Sequence, residues 1–367
     1  MKSYRSVFFA NSFLLIKNIF QQQQSSYTTN KMVNAKKFIF AKRFDGLPKV
    51  TDFRLEEEVL EELKDGEVLL EAIYLSVDPY MRPYSEKYPT GITMIGSQIA
   101  KVIESKNSAY PKDALVCGYL GWRTHTIFNP NEVSGDDAIK TYILPSFGGL
   151  PPSLGLGQLG MPGNTAYFGF LDICKPKEGE VVVVSGAAGA VGNLVGQIGK
   201  IKGCKVIGIA GSDDKCTWLT SELGFDHAIN YKTESVAEVL KKYAPDGVDC
   251  YFDNVGGAIS SIVINQMRDF GRISVCGSIS SYNTPVAEWP KVPILQPTFV
   301  FKQLKMEGFI VSRFCSKWFE AIQCMKKWTD EGKLKYRETV TNGFENMPQA
   351  LIDMLQGQNT GKAIVKV

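Results

Sequence analysis

The stretch Val181-Val182-Val183-Val184-Ser185-Gly186-Ala187-Ala188-Gly189-Ala190-Val191-Gly192 decides how the rest of the chain is read. Its first four residues form an unbroken, β-branched run that Ser185 extends to strand length, the pattern of a strand buried on both faces. A turn of glycine and alanine follows, and the segment Asn193–Lys202 continues at helical spacing. Small residues let the backbone approach a pyrophosphate, whose charge then sits among the free N–H groups of a helix N-terminus. With a strand before and a helix after, such a turn reads as dinucleotide binding. Packing of the helix against the strand is the plainer reading. No Gly-Lys-Ser/Thr follows the turn, so it is not a Walker loop.

Downstream, Lys205–Ala210, Cys250–Asp253 and Arg272–Gly277 read as further apolar strands with helical segments between them. That alternation predicts an α/β fold whose doubly wound parallel sheet is covered on both faces. Upstream, from Lys36 to about Tyr142, short runs such as Lys37–Phe44, Glu67–Leu75 and Ala114–Leu120 are separated by Pro79, Pro83, Pro89 and Pro111. They predict a β-rich, barrel-like unit. Leu154–Leu159 and Met161–Leu171 turn helical, and no internal repeat appears.

Length and composition agree. A chain of 367 residues, 44% hydrophobic and 22% charged, has room for two globular domains. No apolar run reaches the ~20 residues that span a bilayer, so no membrane partner is expected. Four of the 41 basic residues (Lys2, Arg5, Lys17, Lys31) lie in 1–31, which has no acidic residue, leaving 37 against 38 acidic ones in the body. A near-neutral body without a basic stripe argues against nucleic acid. Eight scattered cysteines with no C-x-x-C read as reduced thiols. With only His125 and His227, a His-rich metal site is excluded, and a Ser-His-Asp hydrolase would have to use one of the two.

Residues 1–31 carry an interrupted apolar run, Val7 to Ile16, then Gln21–Gln24 and a Ser/Thr/Asn stretch. Basic, hydroxylated and acid-free, they have the marks of a mitochondrial presequence. A disordered extension, or translation from Met32, are the alternatives. No A-x-A-like site supports a secretory signal.

The end of the second strand bears on the cofactor. An NAD site places Asp or Glu about 20 residues beyond the turn. Here, 18 residues beyond Gly192, stands Ala210, followed by Gly211, Ser212, Asp213, Asp214 and Lys215. The small neutral strand end leaves room for a 2′-phosphate, and Lys215 can supply charge. Alternatively Ser212 or Asp213 caps a helix and Lys215 is a solvated lysine.

Further stretches accumulate in order: Tyr74-Leu75-Ser76-Val77-Asp78-Pro79-Tyr80-Met81-Arg82, Gly160-Met161-Pro162-Gly163-Asn164-Thr165-Ala166-Tyr167, Asn230-Tyr231-Lys232-Thr233 and Tyr251-Phe252-Asp253-Asn254-Val255-Gly256-Gly257. Then come Cys276-Gly277-Ser278-Ile279-Ser280-Ser281-Tyr282-Asn283, Met306-Glu307-Gly308-Phe309-Ile310-Val311 and Gly357-Gln358-Asn359-Thr360-Gly361-Lys362. From about Met32 to Val367 the chain resembles the zinc-free branch of the medium-chain dehydrogenase/reductase superfamily. It departs in residues 1–31, which have no counterpart, and at Asn164, where an apolar residue is expected.

That resemblance implies a Rossmann-type doubly wound parallel sheet plus a β-rich GroES-like catalytic domain. The implied partition is 1–31 extension, 32–155 GroES-like, 156–324 NADP-binding, and 325–367 returning to the catalytic domain. It implies NADPH-dependent reduction of the C=C bond of enones and enals, 15-oxo-prostaglandins and alkenals included, with leukotriene B4 oxidation beside it. It also implies a homodimer in the cytoplasm, or in mitochondria if 1–31 is a presequence. Gly189, Ala190, Val191 and Gly192 would cradle the pyrophosphate, and Lys215 and Tyr231 would hold the 2′-phosphate. Asn254 would face the cofactor at the sheet's edge. Cys276, Gly277, Ser278, Ile279, Ser280, Ser281 and Tyr282 would pass the nicotinamide ribose. Phe309, Ile310 and Val311 would border the nicotinamide, and Asn359 would touch it. Tyr80 would line the substrate side and Tyr282 reach the substrate oxygen. Each has a plainer reading: Asn254 and Gly256 as a turn, Phe309–Val311 as a core strand, Asn359-Thr360-Gly361 as a helix stop.

The chemistry follows from what the sequence lacks. Zinc-dependent relatives polarise a carbonyl through Cys and His ligands, and Tyr74–Tyr84 contains neither. No metal is therefore expected. Hydride is expected at the β-carbon, with Tyr282 and the cofactor's ribose hydroxyl as donors to the developing enolate and protonation at the α-carbon to finish. A quinone oxidoreductase on the same scaffold, or a non-catalytic NADPH-binding protein, are the competing readings. The loop Asn283–Pro297 sets pocket width and leaves the substrate undefined.

Overall fold

The computed structural model describes residues 32–132, 140–289 and 291–367; the presequence reading of 1–31 lies outside them. The strands are β1 (Val33–Phe40), β2 (Phe53–Leu60), β3 (Val68–Ser76), β4 (Gln98–Ser105), β5 (Leu115–Gly118), β6 (His125–Phe128) and β7 (Tyr142–Ile143). They continue with β8 (Val181–Ser185), β9 (Lys205–Ala210), β10 (His227–Asn230), β11 (Val248–Asp253), β12 (Met267–Val275) and β13 (Lys305–Gly308). The last two are β14 (Glu338–Asn342) and β15 (Lys362–Lys366).

Strands β8 to β13 form one parallel sheet of order β10-β9-β8-β11-β12-β13. The order reverses between β8 and β11, and open α/β sheets bind ligands in the crevice at such a point. The valines of β8 explain why it sits centrally. Val182 and Val184 point into one apolar layer with Leu194, Ile198 and Phe252, while Val183 points into the other with Ile207, Ile229 and Ile264. Both faces are therefore dry, as the unbroken run requires.

The second sheet has the order β14-β15-β3-β4-β5-β7, with β6 also on β3, and β1 and β2 form a separate antiparallel ribbon. The C-terminal strand β15 lies antiparallel to β3, so the end of the chain is built into a sheet that begins near its start.

The sequence reading differs from the structure at several boundaries. In the parallel sheet β10 and β13 were not expected, nor were β14 and β15 in the second sheet, and β12 stops at Val275 rather than Gly277. The helix after the glycine turn runs Gly192–Ile201, one residue earlier than expected. Leu154–Leu159 was expected to be helical, but Pro152–Leu156 forms only a tight 3-10 turn. Met161–Leu171 divides into an α-helix, Met161–Phe168, and a wider π-turn, Gly169–Cys174. Gly169, where the two meet, makes room for the Phe309 ring, which a Cβ there would approach to 2.2 Å.

Asn164, the residue out of pattern, lies in that α-helix and is 1% exposed. Its Nδ2 donates to Gly160 O at 3.0 Å, but its Oδ1 is buried without a partner. An orphaned acceptor costs ~1–3 kcal/mol. Asn164→Leu, of similar size, should raise the thermal midpoint by several degrees in calorimetry; a lowered midpoint would show that Oδ1 is satisfied in solution.

Candidate active site

Leaving β8, the chain turns at Gly186 with φ +58°, and Gly189 N–H closes back on Gly186 O at 3.0 Å. A Cβ on Gly192 would lie 2.3 Å from Gly186 O, so only glycine lets the helix start so close to the strand end. No side chain caps the first turn of that helix. Asn193 N–H and Leu194 N–H are taken by Gly189 O (3.2 Å) and Val191 O (3.1 Å), so the N–H groups of Ala190, Val191 and Gly192, with the helix dipole behind them, are the ones left for an anion. The cradle fits a pyrophosphate. The C-terminal segment docks on the same turn, with Gly361 N–H donating to Ala188 O at 2.8 Å.

A second anion corner forms where β9 and β10 end. Ser212 caps the helix Asp213–Ser221, accepting Lys215 N–H at 3.4 Å, and Asp213 Oδ1 is taken by Asn230 Nδ2 at 2.7 Å. The plainer reading of Ser212 thus holds, while Lys215 is not simply solvated. Its Nζ donates to Gly357 O at 2.6 Å. Burial, and after it the charge of Lys232, holds its ammonium below the ordinary lysine value. Among the described residues neither lysine pairs with a carboxylate. The Tyr231 ring lies over Gly211, whose Cβ would meet the hydroxyl at 3.2 Å, and Tyr231 is 45% exposed. Two lysines without a carboxylate partner and a phenol suit a phosphate monoester. Lys232 was quoted within a motif but not singled out.

At the β11 end the organising residue is Asp253, which sequence reasoning did not select. Buried at 2% exposure, its Oδ1 accepts from Ser185 Oγ (3.0 Å), Tyr251 OH (2.8 Å), Val255 N (3.0 Å) and Gly256 N (2.9 Å). Its carbonyl accepts Cys276 N–H (2.8 Å) and Gly277 N–H (3.2 Å), which is why β12 ends at Val275. Asn254 bridges to β8: its Nδ2 donates to Ser185 O at 2.8 Å. Ile279 N–H and Ser280 N–H then bond Asn254 O and Val255 O at 3.2 and 3.1 Å, and Ser278 Oγ meets Ser281 Oγ at 2.9 Å. The Cys276–Tyr282 loop is thus held against the crevice. Tyr282 OH accepts Ser278 N–H at 3.2 Å, which leaves the phenolic proton free to donate.

Phe309 and its neighbours divide. Phe309 N–H bonds Val275 O at 3.3 Å, and its ring packs inward near Phe252 and Phe314, at 6.3 and 6.2 Å between centroids. Ile310 is 59% exposed and, with Gly308, Ser312 and Arg313, borders an open cleft of about 530 Å³. Val311 starts a 3-10 turn, so these residues are not the core strand of the plainer reading. Asn359 Nδ2 donates to Gly361 O at 2.8 Å within its own turn.

Across the crevice stand the phenols. Tyr80 precedes the short helix Met81–Ser85, its ring 5.4 Å from Tyr84 and 6.4 Å from Tyr119. Burial pushes its phenol well up, with Asp78 and Tyr119 adding to the shift. Burial also raises Tyr84 and Tyr282, the latter partly offset by the Ser278 N–H. Cys276, close to both, is pushed up to about 12 by burial and then by Asp253. All are neutral donors at physiological pH. Tyr84 and Tyr119 were not anticipated. Among the described residues no three His, Cys, Asp or Glu side chains group as metal ligands.

Residues 36–135 match the family described as the N-terminal domain of oxidoreductase, and residues 190–327 match that described as zinc-binding dehydrogenase. Prostaglandin reductase 1 of Bos taurus is 51% identical over 91% of this chain and 100% of its own length. The NADP(+)-dependent 2-alkenal reductase of Nicotiana tabacum is 38% identical over 92% of this chain and 98% of its own. The crystal structure of CurA from Vibrio vulnificus in complex with NADPH superposes with a TM-score of 0.83 at 38% identity, covering 90% of this chain and 99% of that one. With relatives at 51% and 38% identity over more than nine-tenths of its length, the chain belongs to the prostaglandin reductase branch of the medium-chain dehydrogenase/reductase superfamily.

Proposed function

We propose that this chain is an NADP-dependent oxidoreductase that reduces the carbon–carbon double bond of α,β-unsaturated ketones and aldehydes. The observation that carries the reading is the Tyr282 phenol: neutral, uncommitted as a donor, and held at the switch-point crevice beside Tyr84 and Cys276. The relatives named for prostaglandin and 2-alkenal reduction support the substrate class.

NADPH, when bound, supplies the hydride. The turn Gly189–Gly192 offers its backbone to the pyrophosphate, and Lys215, Tyr231 and Lys232 offer charge and a hydroxyl to the 2′-phosphate. Asn254 and the loop Cys276–Ser281 hold the ribose side, with Ile310, Val311 and Asn359 toward the nicotinamide and Phe309 buttressing them from within. As the double bond is reduced, negative charge builds on the substrate's carbonyl oxygen, and the Tyr282 O–H donates to it. Tyr80, Tyr84 and Tyr119 wall the substrate side and exclude water. On this reading 32–155 and 325–367 form the substrate-side unit and 156–324 the NADP-binding unit, in keeping with β14 and β15 joining the sheet of β3.

The partner is a small molecule, with a second copy of the chain as the structural partner. β13 is one edge of its sheet, and Met306 on it and Ile294, Val300 and Phe301 (82% exposed) in the segment leading to it are exposed. Light scattering should give twice the chain mass; a monomer at micromolar concentration would refute this. No helix among the described residues is long and apolar enough to cross a membrane. The eight free cysteines favour the reducing cytoplasm, and a fluorescent fusion of the full chain concentrated in mitochondria would overturn that placement.

A steady-state panel with NADPH tests the function. Turnover of an alkenal or a 15-oxo-prostaglandin should exceed that of a quinone by about tenfold or more in kcat/KM. A quinone preferred over both would make the chain a quinone oxidoreductase, and no turnover at all would make it a binding protein.

A further inference from the structure

A buried ion pair ties the loop before Tyr80 to the start of β15, whose leading segment Asn359–Gly361 reaches across to the glycine turn. Asp78 lies between β3 and the helix that Tyr80 precedes; Lys362 opens β15. Both side chains are 4% exposed, with Lys362 Nζ 3.0 Å from Asp78 Oδ1. The remaining ammonium protons go to Val77 O at 2.7 Å and Ala363 O at 2.8 Å, and Asp78 Oδ2 accepts from Ser76 Oγ. Every proton of the ammonium is used, which fixes its position. The nearest other acid is Glu338, bound to Ser153 Oγ at 2.9 Å and facing Lys362 across a small cavity that also touches Ala190 and Asn193.

The neighbours of the pair in sequence give it meaning. Two residues after Asp78 is Tyr80. One residue before Lys362 is Gly361, whose N–H bonds Ala188 O at 2.8 Å in the glycine turn, and three before it is Asn359. A short, fully satisfied path therefore runs from the substrate-side tyrosine to the pyrophosphate cradle. A buried pair is a poor source of stability, because desolvating two charges cancels most of their attraction. Fixing geometry is the use that remains.

We propose that Asp78 and Lys362 are positioning residues, an internal strut that sets the substrate-side wall at Tyr80 in register with the cofactor-side segment Asn359–Gly361. The inference rests on the function proposed above, which places substrate and cofactor on those two sides.

The test uses the full chain with Asp78→Asn, Lys362→Met and the double variant. Thermal midpoint and NADPH affinity by fluorescence titration are measured first. Single-turnover hydride transfer from preloaded NADPH to an enone, with its primary deuterium isotope effect, follows per NADPH-titratable site. A misaligned donor and acceptor slow transfer by about 10- to 100-fold. Each single variant should show that loss with a changed isotope effect, while NADPH affinity stays within about threefold. The double variant should regain thermal stability but not rate.

A rate per titratable site and an isotope effect equal to wild type, with only the midpoint lowered, would make the pair merely structural and overturn the proposal. If Lys362→Met yields no folded protein, Asp78→Asn preserves the shape and decides by the same two readouts. Absence of enone turnover in the wild type would strike the proposed function instead, so the two failures are distinguishable.

Discussion

Tyr282→Phe should slow hydride transfer to an enone by roughly 10- to 100-fold while leaving NADPH binding and stability nearly unchanged. Only the hydroxyl is lost, the atom that lies over Gly277, where a Cβ would meet it at 2.9 Å. In the resting structure that hydroxyl accepts a single N–H from Ser278 at 3.2 Å, so its removal leaves one backbone donor at a partly wet loop. The loss falls on the donor aimed where enolate charge develops. Removing one such donor can cost ~10²–10³-fold, and a ribose hydroxyl remaining as a second donor makes the loss smaller. Because burial raises the Tyr282 phenol above its ordinary value, it stays protonated through the neutral range. The hydride-transfer rate should therefore be flat from about pH 6 to 9 and fall only when the phenol ionises. A tyrosine that merely braced the loop would give the reverse pattern: weaker NADPH binding with transfer spared. Stopped-flow transfer alongside NADPH titration separates the two.

Lys215→Ala should reduce the preference for NADPH over NADH by roughly 10- to 100-fold in kcat/KM, since a charge-assisted contact is worth ~1.5–3 kcal/mol. NADH, without the 2′-phosphate, should lose little, and that control separates the phosphate contact from the tie between Lys215 Nζ and Gly357 O. The direction with pH also follows. Burial and Lys232 hold the Lys215 ammonium below the ordinary lysine value, so its charge is lost earlier than a free lysine's as pH rises. NADPH affinity should weaken on the alkaline side before NADH affinity does, and the alanine variant should lack that difference. An unchanged cofactor ratio in Lys215→Ala would move the phosphate elsewhere, Lys232 being the next cation to remove.

The strands that were legible in the sequence are those whose environment is uniform. Val181–Ser185 and Lys205–Ala210 are buried on both faces, so composition alone marks their ends. β13 was missed because Lys305-Met306-Glu307-Gly308 is an edge strand, half polar where it faces water. β10 was missed because four residues, His227–Asn230, are too few to show a period. The end of β12 was misplaced because Asp253, far back in the chain, takes the N–H groups of Cys276 and Gly277.

The site divides along the same line. The glycine turn and the neutral strand end at Ala210 were readable because their chemistry is local. Asp253 and the pair Asp78–Lys362 were not, because their partners are set by the fold: Ser185 for Asp253, and a strand at the opposite end of the chain for Asp78. An acid closing an otherwise apolar strand, as in Cys250-Tyr251-Phe252-Asp253, is the one signal that could have pointed to Asp253. Phe309 stands on both sides of that line, bordering the cleft with Gly308 and Ile310 while its ring packs inward. A residue expected at the nicotinamide turns its ring toward Gly169 and the core, and it is the π-turn at Gly169 that receives it.

The most direct test of the whole account is where the hydride goes. The full chain is supplied with NADPH deuterated at the transferring position and an unsaturated ketone, and the product is read by NMR. Reduction at the double bond gives a saturated ketone with deuterium on the former β-carbon and the carbonyl intact. An allylic alcohol with deuterium on the carbonyl carbon would contradict it.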